Sequence, residues 1–103
     1  MSEYQLSPAA LRDLDEIWVF IARDSVNAAE NWIERLRDQI RLIASRPSIG
    51  HVRSGGRRYG SLRFWAYERY VILYYKEGED VKVIAITQGH RSVKRVIEQR
   101  WPS

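Results

Sequence analysis

The sequence predicts an α+β domain: an α-helical hairpin laid on a small antiparallel sheet, with an N-terminal edge strand ahead of it and a short C-terminal helix behind. Three observations carry this. Two apolar stripes at helical spacing, each opened by a serine, fill the first half of the chain. Leu62 to Ile86 holds β-branched and aromatic runs separated by short polar turns. At 103 residues the chain is one domain, spanning 1–103, since domains most often hold about 100–150 residues.

Glu3 to Leu6 alternates and reads as an edge strand. Ser7-Pro8 starts a helix, with Ser as N-cap and Pro at the first helical position, where its missing N–H costs nothing. Leu11, Leu14, Trp18 and Ile21, with Ile17 beside them, form the first stripe. Asp13, Asp15 and Glu16 lie toward the helix start, where the dipole favours acids. Ser25 caps the second helix, whose stripe is Ala29, Trp32, Ile33, Leu36, Ile40 and Ile43. Trp18 and Trp32 are assigned to the core. Glu30, Glu34 and Asp38 are like charges at helical spacing, so packing must stabilise this helix. Pro47 stops it.

Ser48 to Gly60 is a Gly-, Ser- and Arg-rich loop. Leu62–Trp65 is a strand, turning at Ala66–Arg69 into the central run Tyr70–Tyr75. Alternation puts Arg63 and Trp65 on one face of the first strand, with Arg63 expected either to project from the face away from the helices or to pair with an acidic group at the sheet edge. Glu77-Gly78-Glu79-Asp80 is a turn, and Val81–Thr87 the returning strand of a hairpin. The central run is apolar on both faces, so it must be covered. Arg91 to Arg100 suggests a short basic helix with Val93, Val96 and Ile97 on its apolar side.

Composition narrows the function. There is no cysteine, which excludes a disulfide scaffold and thiolate metal sites. His51 and His90 are the only histidines and are not spaced as ligands, so no metal and no cofactor is expected. For His90, turn capping or packing competes with an acid–base role. The start lacks a signal pattern, and no apolar run approaches the ~20 residues of a membrane helix, giving an expectation of a cytoplasmic protein. The net charge of +4 is unevenly placed. Acids crowd the chain up to Asp38. None falls between Asp38 and Glu68, an interval holding Arg41, Arg46, Arg53, Arg57, Arg58 and Arg63. Arg91, Lys94, Arg95 and Arg100 follow near the end. Such a face suits an acidic partner, nucleic acid or an acidic protein segment; the plainer reading is a solvated surface. An RNA-cleaving site without metal needs cations and an acid–base pair, for which Arg63, Arg69, Arg91 and His90 are the candidates.

Four strings in order carry a resemblance. Leu6-Ser7-Pro8-Ala9-Ala10-Leu11-Arg12-Asp13-Leu14-Asp15-Glu16-Ile17-Trp18 resembles the opening of ParE-type toxins of the RelE/ParE superfamily. Pro47–His51 resembles their loop after the helix hairpin. Leu62-Arg63 with Arg69–Tyr75 resembles their central hairpin, and Val83–Arg91 their last strand and its exit.

The resemblance implies a bacterial type II toxin that lacks enzymatic activity of its own and inhibits DNA gyrase by protein contact. It implies neutralisation by a ParD-like antitoxin, with a ribbon-helix-helix start and a disordered C-terminal segment that wraps the toxin. DNA would be contacted only through the antitoxin. The ribonuclease branch resembles a set of strand Lys/Arg residues and a C-terminal Arg and Tyr. Here Tyr59, Ser61 and Val71 stand at the strand positions and Ile97 at the tyrosine, while Arg91 matches. These departures favour the ParE branch over the alternative, a RelE-like ribosome-dependent mRNA endoribonuclease. The expected antitoxin contacts are Arg41, Arg53, Arg57, Arg58 and Arg69. The expected target contacts are Arg63, Arg91, Lys94, Arg95 and Trp101, on the exposed sheet face and the basic C-terminal end.

Overall fold

The computed structural model describes residues 3–52, 62–89 and 93–101. The elements run β1 (Tyr4–Leu6), α1 (Pro8–Ala22), α2 (Val26–Ser45), a 3-10 turn (Pro47–Ile49), β2 (His51–Val52), β3 (Arg63–Tyr67), β4 (Tyr70–Glu77), β5 (Asp80–Gln88) and α3 (Val93–Arg100). The helix caps form as the sequence dictates. Ser7 Oγ accepts from the Ala10 N–H and Ser25 Oγ from the Ala28 N–H, both at 3.1 Å. Each satisfies one of the backbone donors that a helix start leaves without an intrahelical partner.

The predicted meander β3–β4–β5 sits inside a wider sheet of order β1-β5-β4-β3-β2. β1 joins it parallel to β5, pairing Tyr4 with Val81 and Leu6 with Val83; every other pairing is antiparallel. β2, two exposed residues against Phe64 and Arg63, was invisible in a segment that reads as loop.

The helix hairpin covers one face. Leu14 and Ile17 of α1 and Trp32, Leu36, Ile40 and Ile43 of α2 meet Tyr70, Ile72, Tyr74, Val81, Val83 and Ile86. A buried aliphatic side chain contributes about 1.5–3 kcal/mol, while a like-charged helical pair costs a few tenths. The α2 stripe therefore outweighs Glu30, Glu34 and Asp38 by an order of magnitude. The α1 stripe is rotated from the predicted one. Ala10, Leu14 and Ile17 are buried, whereas Leu11 is 49% exposed and Trp18 only half-buried. The small side chain of Ala10 lets the helix start sit close to the sheet, and that turns Leu11 outward.

α3 covers the other face, where Ile97 packs with Leu62, Leu73, Ile84 and Ala85. The sheet face expected to be exposed is thus partly occupied by the chain's own end. A β-bulge in β5 alters which of its residues face which layer. Leu73 opposes Ala85 and Tyr74 opposes Val83, which leaves Ile84 without an opposite. The extra residue breaks the period of two. Val83 therefore faces the hairpin, Ile84 and Ala85 face α3, and Ile86 faces the hairpin again.

Candidate functional site

Two clasps tie the helices and the turn after α2 to the sheet. The first lies on the edge of β5 past the end of β1. Asp13 Oδ2 accepts from the Ile86 N–H at 2.9 Å and from Arg100 Nη1 at 2.7 Å, and Asp13 Oδ1 accepts from Arg100 Nη2 at 3.1 Å. Arg100 Nη1 also donates to the Ile84 carbonyl at 2.9 Å. The bidentate pair is largely buried. It joins α1, the last turn of α3 and the bulged edge of β5. The hydrogen bonds that Arg100 donates to Asp13 favour the charged guanidinium, shifting its pKa upward against the desolvation that opposes it. Asp13 was expected to serve the helix dipole. However, α1 begins at Pro8 and has no acid in its first turn, so the carboxylate acts on the sheet edge instead.

The second clasp fixes the turn after α2. The fully buried Tyr74 hydroxyl donates to the Pro47 carbonyl at 2.6 Å and accepts from the Gly50 N–H at 2.9 Å. Burial raises its pKa; the Gly50 N–H and the Arg63 charge act the other way. A Cβ on Gly50 would lie 2.1 Å from the Tyr74 hydroxyl oxygen, so no larger residue fits without displacing the ring. Arg63 Nη1 donates to the Gly50 carbonyl at 2.8 Å. Arg63 therefore shares the hairpin face with Trp65, whose indole N–H donates to Gln39 of α2 at 2.9 Å. The expectation that Arg63 projects from the opposite face is corrected. Alternation paired it rightly with Trp65, but Trp65 belongs to the helix side.

The other predicted contacts are scattered. Lys94 and Arg95 lie together on the exposed side of α3. Trp101 is half-buried, its ring 4.8 Å from that of Tyr75 at 57°, so it packs on the α3 face of the sheet. Arg41 pairs with Asp38 at 2.8 Å on the open surface of α2, an arrangement worth well under ~1 kcal/mol. Arg69 is exposed in the β3–β4 turn. Arg53, Arg57, Arg58, Tyr59, Ser61, His90 and Arg91 lie outside the described residues.

Of the positions at which the chain departs from the ribonuclease branch, two are described. Val71 is half-buried on the α3 face and Ile97 is fully buried. Among the described residues, no cluster of His, Asp and Glu is placed to hold a metal, and no helix is long and apolar enough to cross a membrane.

What sequence reasoning missed is an apolar patch on α1. Val19 is 50% and Phe20 62% exposed. The available signal was that both fall off the stripe running through Leu14, Ile17 and Ile21.

Residues 4–93 match the family described as "ParE toxin of type II toxin-antitoxin system, parDE". A search of curated proteins found no match. Among solved structures, a chain described as belonging to the chromosomal ParDE TA system from P. aeruginosa superposes with a TM-score of 0.68 at 16% identity. It covers 85% of this chain and 95% of its own length. At that identity the likeness speaks to the fold.

Proposed function

The chain belongs to the ParE toxin family of type II toxin–antitoxin systems, and on that premise we propose that it acts in the cytoplasm as a non-enzymatic inhibitor of DNA gyrase, neutralised by a ParD-like antitoxin. The observation that carries the non-catalytic part is the fate of the ribonuclease-like positions. A nuclease must place charge and a proton donor beside a developing phosphorane. Ile97, at the position where that branch has a tyrosine, is fully enclosed by the sheet, and Val71 is apolar and half-buried. Arg63, a candidate phosphate clamp, is engaged by the Gly50 carbonyl on the hairpin face. The exposed cations Lys94 and Arg95 on α3 are the contact residues proposed for the target, with Arg91 preceding them in sequence. The antitoxin in turn brings any DNA contact, through a ribbon-helix-helix region of its own.

The test is a supercoiling assay with purified gyrase and rising toxin. Loss of supercoiling or a trapped cleavage complex, weakened by Lys94→Glu with Arg95→Glu, is the expected result. Unchanged supercoiling at toxin concentrations that stop growth would reject the proposal. Codon-linked cleavage of ribosome-bound message would replace it with the nuclease reading.

A further inference from the structure

Leu14 and Ile17 turn one side of α1 to the sheet and α2. The opposite side carries Arg12, Asp15, Glu16, Val19, Phe20 and Arg23, all exposed. They lie on two rows with every fourth residue in line, Asp15–Val19–Arg23 and Arg12–Glu16–Phe20. Arg23 belongs to its row although the helix closes at Ala22. As the C-cap it keeps right-handed helical angles, φ −57° and ψ −35°, and its N–H donates to the Val19 carbonyl at 3.2 Å. Rows of this spacing are the ridges that fit the grooves of a second helix in the commonest packing, at about −50° with axes about 8–10 Å apart.

The apolar pair Val19 and Phe20 sits at the middle of this face, and with Asp15, Glu16 and Arg23 it lines a shallow depression of about 390 Å³. Charge is sorted by sign along the axis. The acids stand one turn before the apolar pair and Arg23 one turn after it. Consider a second copy turned end for end about a two-fold axis that passes between positions 19 and 20. Val19 then meets Phe20 of the other copy, and Glu16 meets Arg23, each of these contacts occurring twice. A parallel pair would instead set Glu16 on Glu16 and Arg23 on Arg23. A partner helix of one charge sign would satisfy only one end of the face. The face is complementary to itself, and only in the antiparallel sense.

We propose that the outer face of α1 is a self-association surface, on which two copies of this chain pack α1 against α1, antiparallel, around Val19 and Phe20. The two Glu16–Arg23 pairs flank the apolar centre and set the register. A single helix crossing is at the small end of specific interfaces, below about 1,200 Å² in total. The dimer is therefore concentration-dependent, and each copy keeps its own core between the helix hairpin and the sheet. The proposal stands independently of the gyrase and antitoxin readings above.

The test is sedimentation velocity on the full chain at ~1–500 µM. The average mass should rise from 12.2 kDa toward twice that value, and should rise less at ~0.5 M salt. Phe20→Ser should weaken association by at least about tenfold. Glu16→Arg and Arg23→Glu should each raise Kd about tenfold, because each sets like charges against one another at both ends. Mixed in equal amounts, or combined in one chain, the two reversals pair opposite charges again and should restore Kd to within about threefold of wild type. Val52→Ser, an exposed apolar residue on β2, should leave Kd within about twofold. Circular dichroism checks that each variant is folded. Glu16 acts on the Arg100 charge, so if Glu16→Arg does not fold, Arg23→Glu and Phe20→Ser decide the matter. A chain that stays at 12.2 kDa throughout, a dimer indifferent to Phe20→Ser, or folded single reversals that their mixture does not rescue would overturn the proposal. So would a chain that is monomeric alone but whose antitoxin complex is weakened by Phe20→Ser, a result that gives the face to the antitoxin.

Discussion

Replacing Tyr74 with Phe removes one oxygen atom from a fully buried ring and takes two hydrogen bonds with it. Each is worth about 1 kcal/mol net, and the Gly50 N–H left behind is buried, with no second acceptor among the described residues to offset its desolvation. The sum is about 2–3 kcal/mol. Unfolding entropy of about 2.1 cal/mol/K per residue gives roughly 0.2 kcal/mol/K for 103 residues, so the midpoint should fall by about 10–14 °C. Calorimetry or circular dichroism on purified protein reads this directly. Tyr75→Phe is the matched control. Its hydroxyl donates to the exposed Glu77 at 3.2 Å, and its loss should cost under ~0.5 kcal/mol. A Tyr74→Phe midpoint within about 3 °C of wild type would refute the reasoning, because it would mean that the turn after α2 is not held by this hydroxyl.

Three further outcomes follow from the same geometry. Tyr74 has a folded pKa above its ordinary value, so its contribution is complete below about pH 10 and is lost as pH rises through the folded pKa; wild-type stability should decline there more steeply than that of Tyr74→Phe in urea titrations at stepped pH. Asp13→Ala strips Arg100 and the Ile86 N–H of their acceptor, and should cost about 2–3 kcal/mol and speed amide exchange throughout α3, whereas Asp15→Ala, exposed on the same helix, should do neither. Gly78 takes φ +62° in the β4–β5 turn with open space around it, so Gly78→Ala should cost about 1 kcal/mol through backbone strain alone, measured by denaturant midpoint.

Local signals account for what was legible. Ser7-Pro8 and Ser25 mark both helix starts because a cap is a contact within one turn. Gly78 marks the β4–β5 hairpin because a positive φ needs a particular residue. The β3–β4 turn shows the limit of that rule. Glu68 takes φ +56° there, and its side chain accepts the Trp32 indole N–H at 2.7 Å, a compensation that no sequence window reveals. The same holds for the site. Lys94 and Arg95 could be read as an exposed basic pair from the apolar spacing of Val93, Val96 and Ile97. The Asp13–Arg100 clasp joins residues from the two ends of the chain, and the facing of Arg63 depends on which side of the sheet the hairpin takes. Neither has a local signature.

The parallel pairing of β1 with β5 has a consequence for the moment at which this protein comes into being. Tyr4 is made 77 residues (81 − 4) ahead of its partner Val81. At about 5–20 residues per second, β1 waits several seconds for a neighbour. During synthesis the helix hairpin exists without the sheet that buries its stripe, and a message truncated ahead of Asp80 encodes a chain that can never close. The sheet therefore closes as a single late event, once β5 has been made, and not gradually along the message. Throughout that interval the apolar stripes of both helices stay uncovered by the sheet and open to other chains.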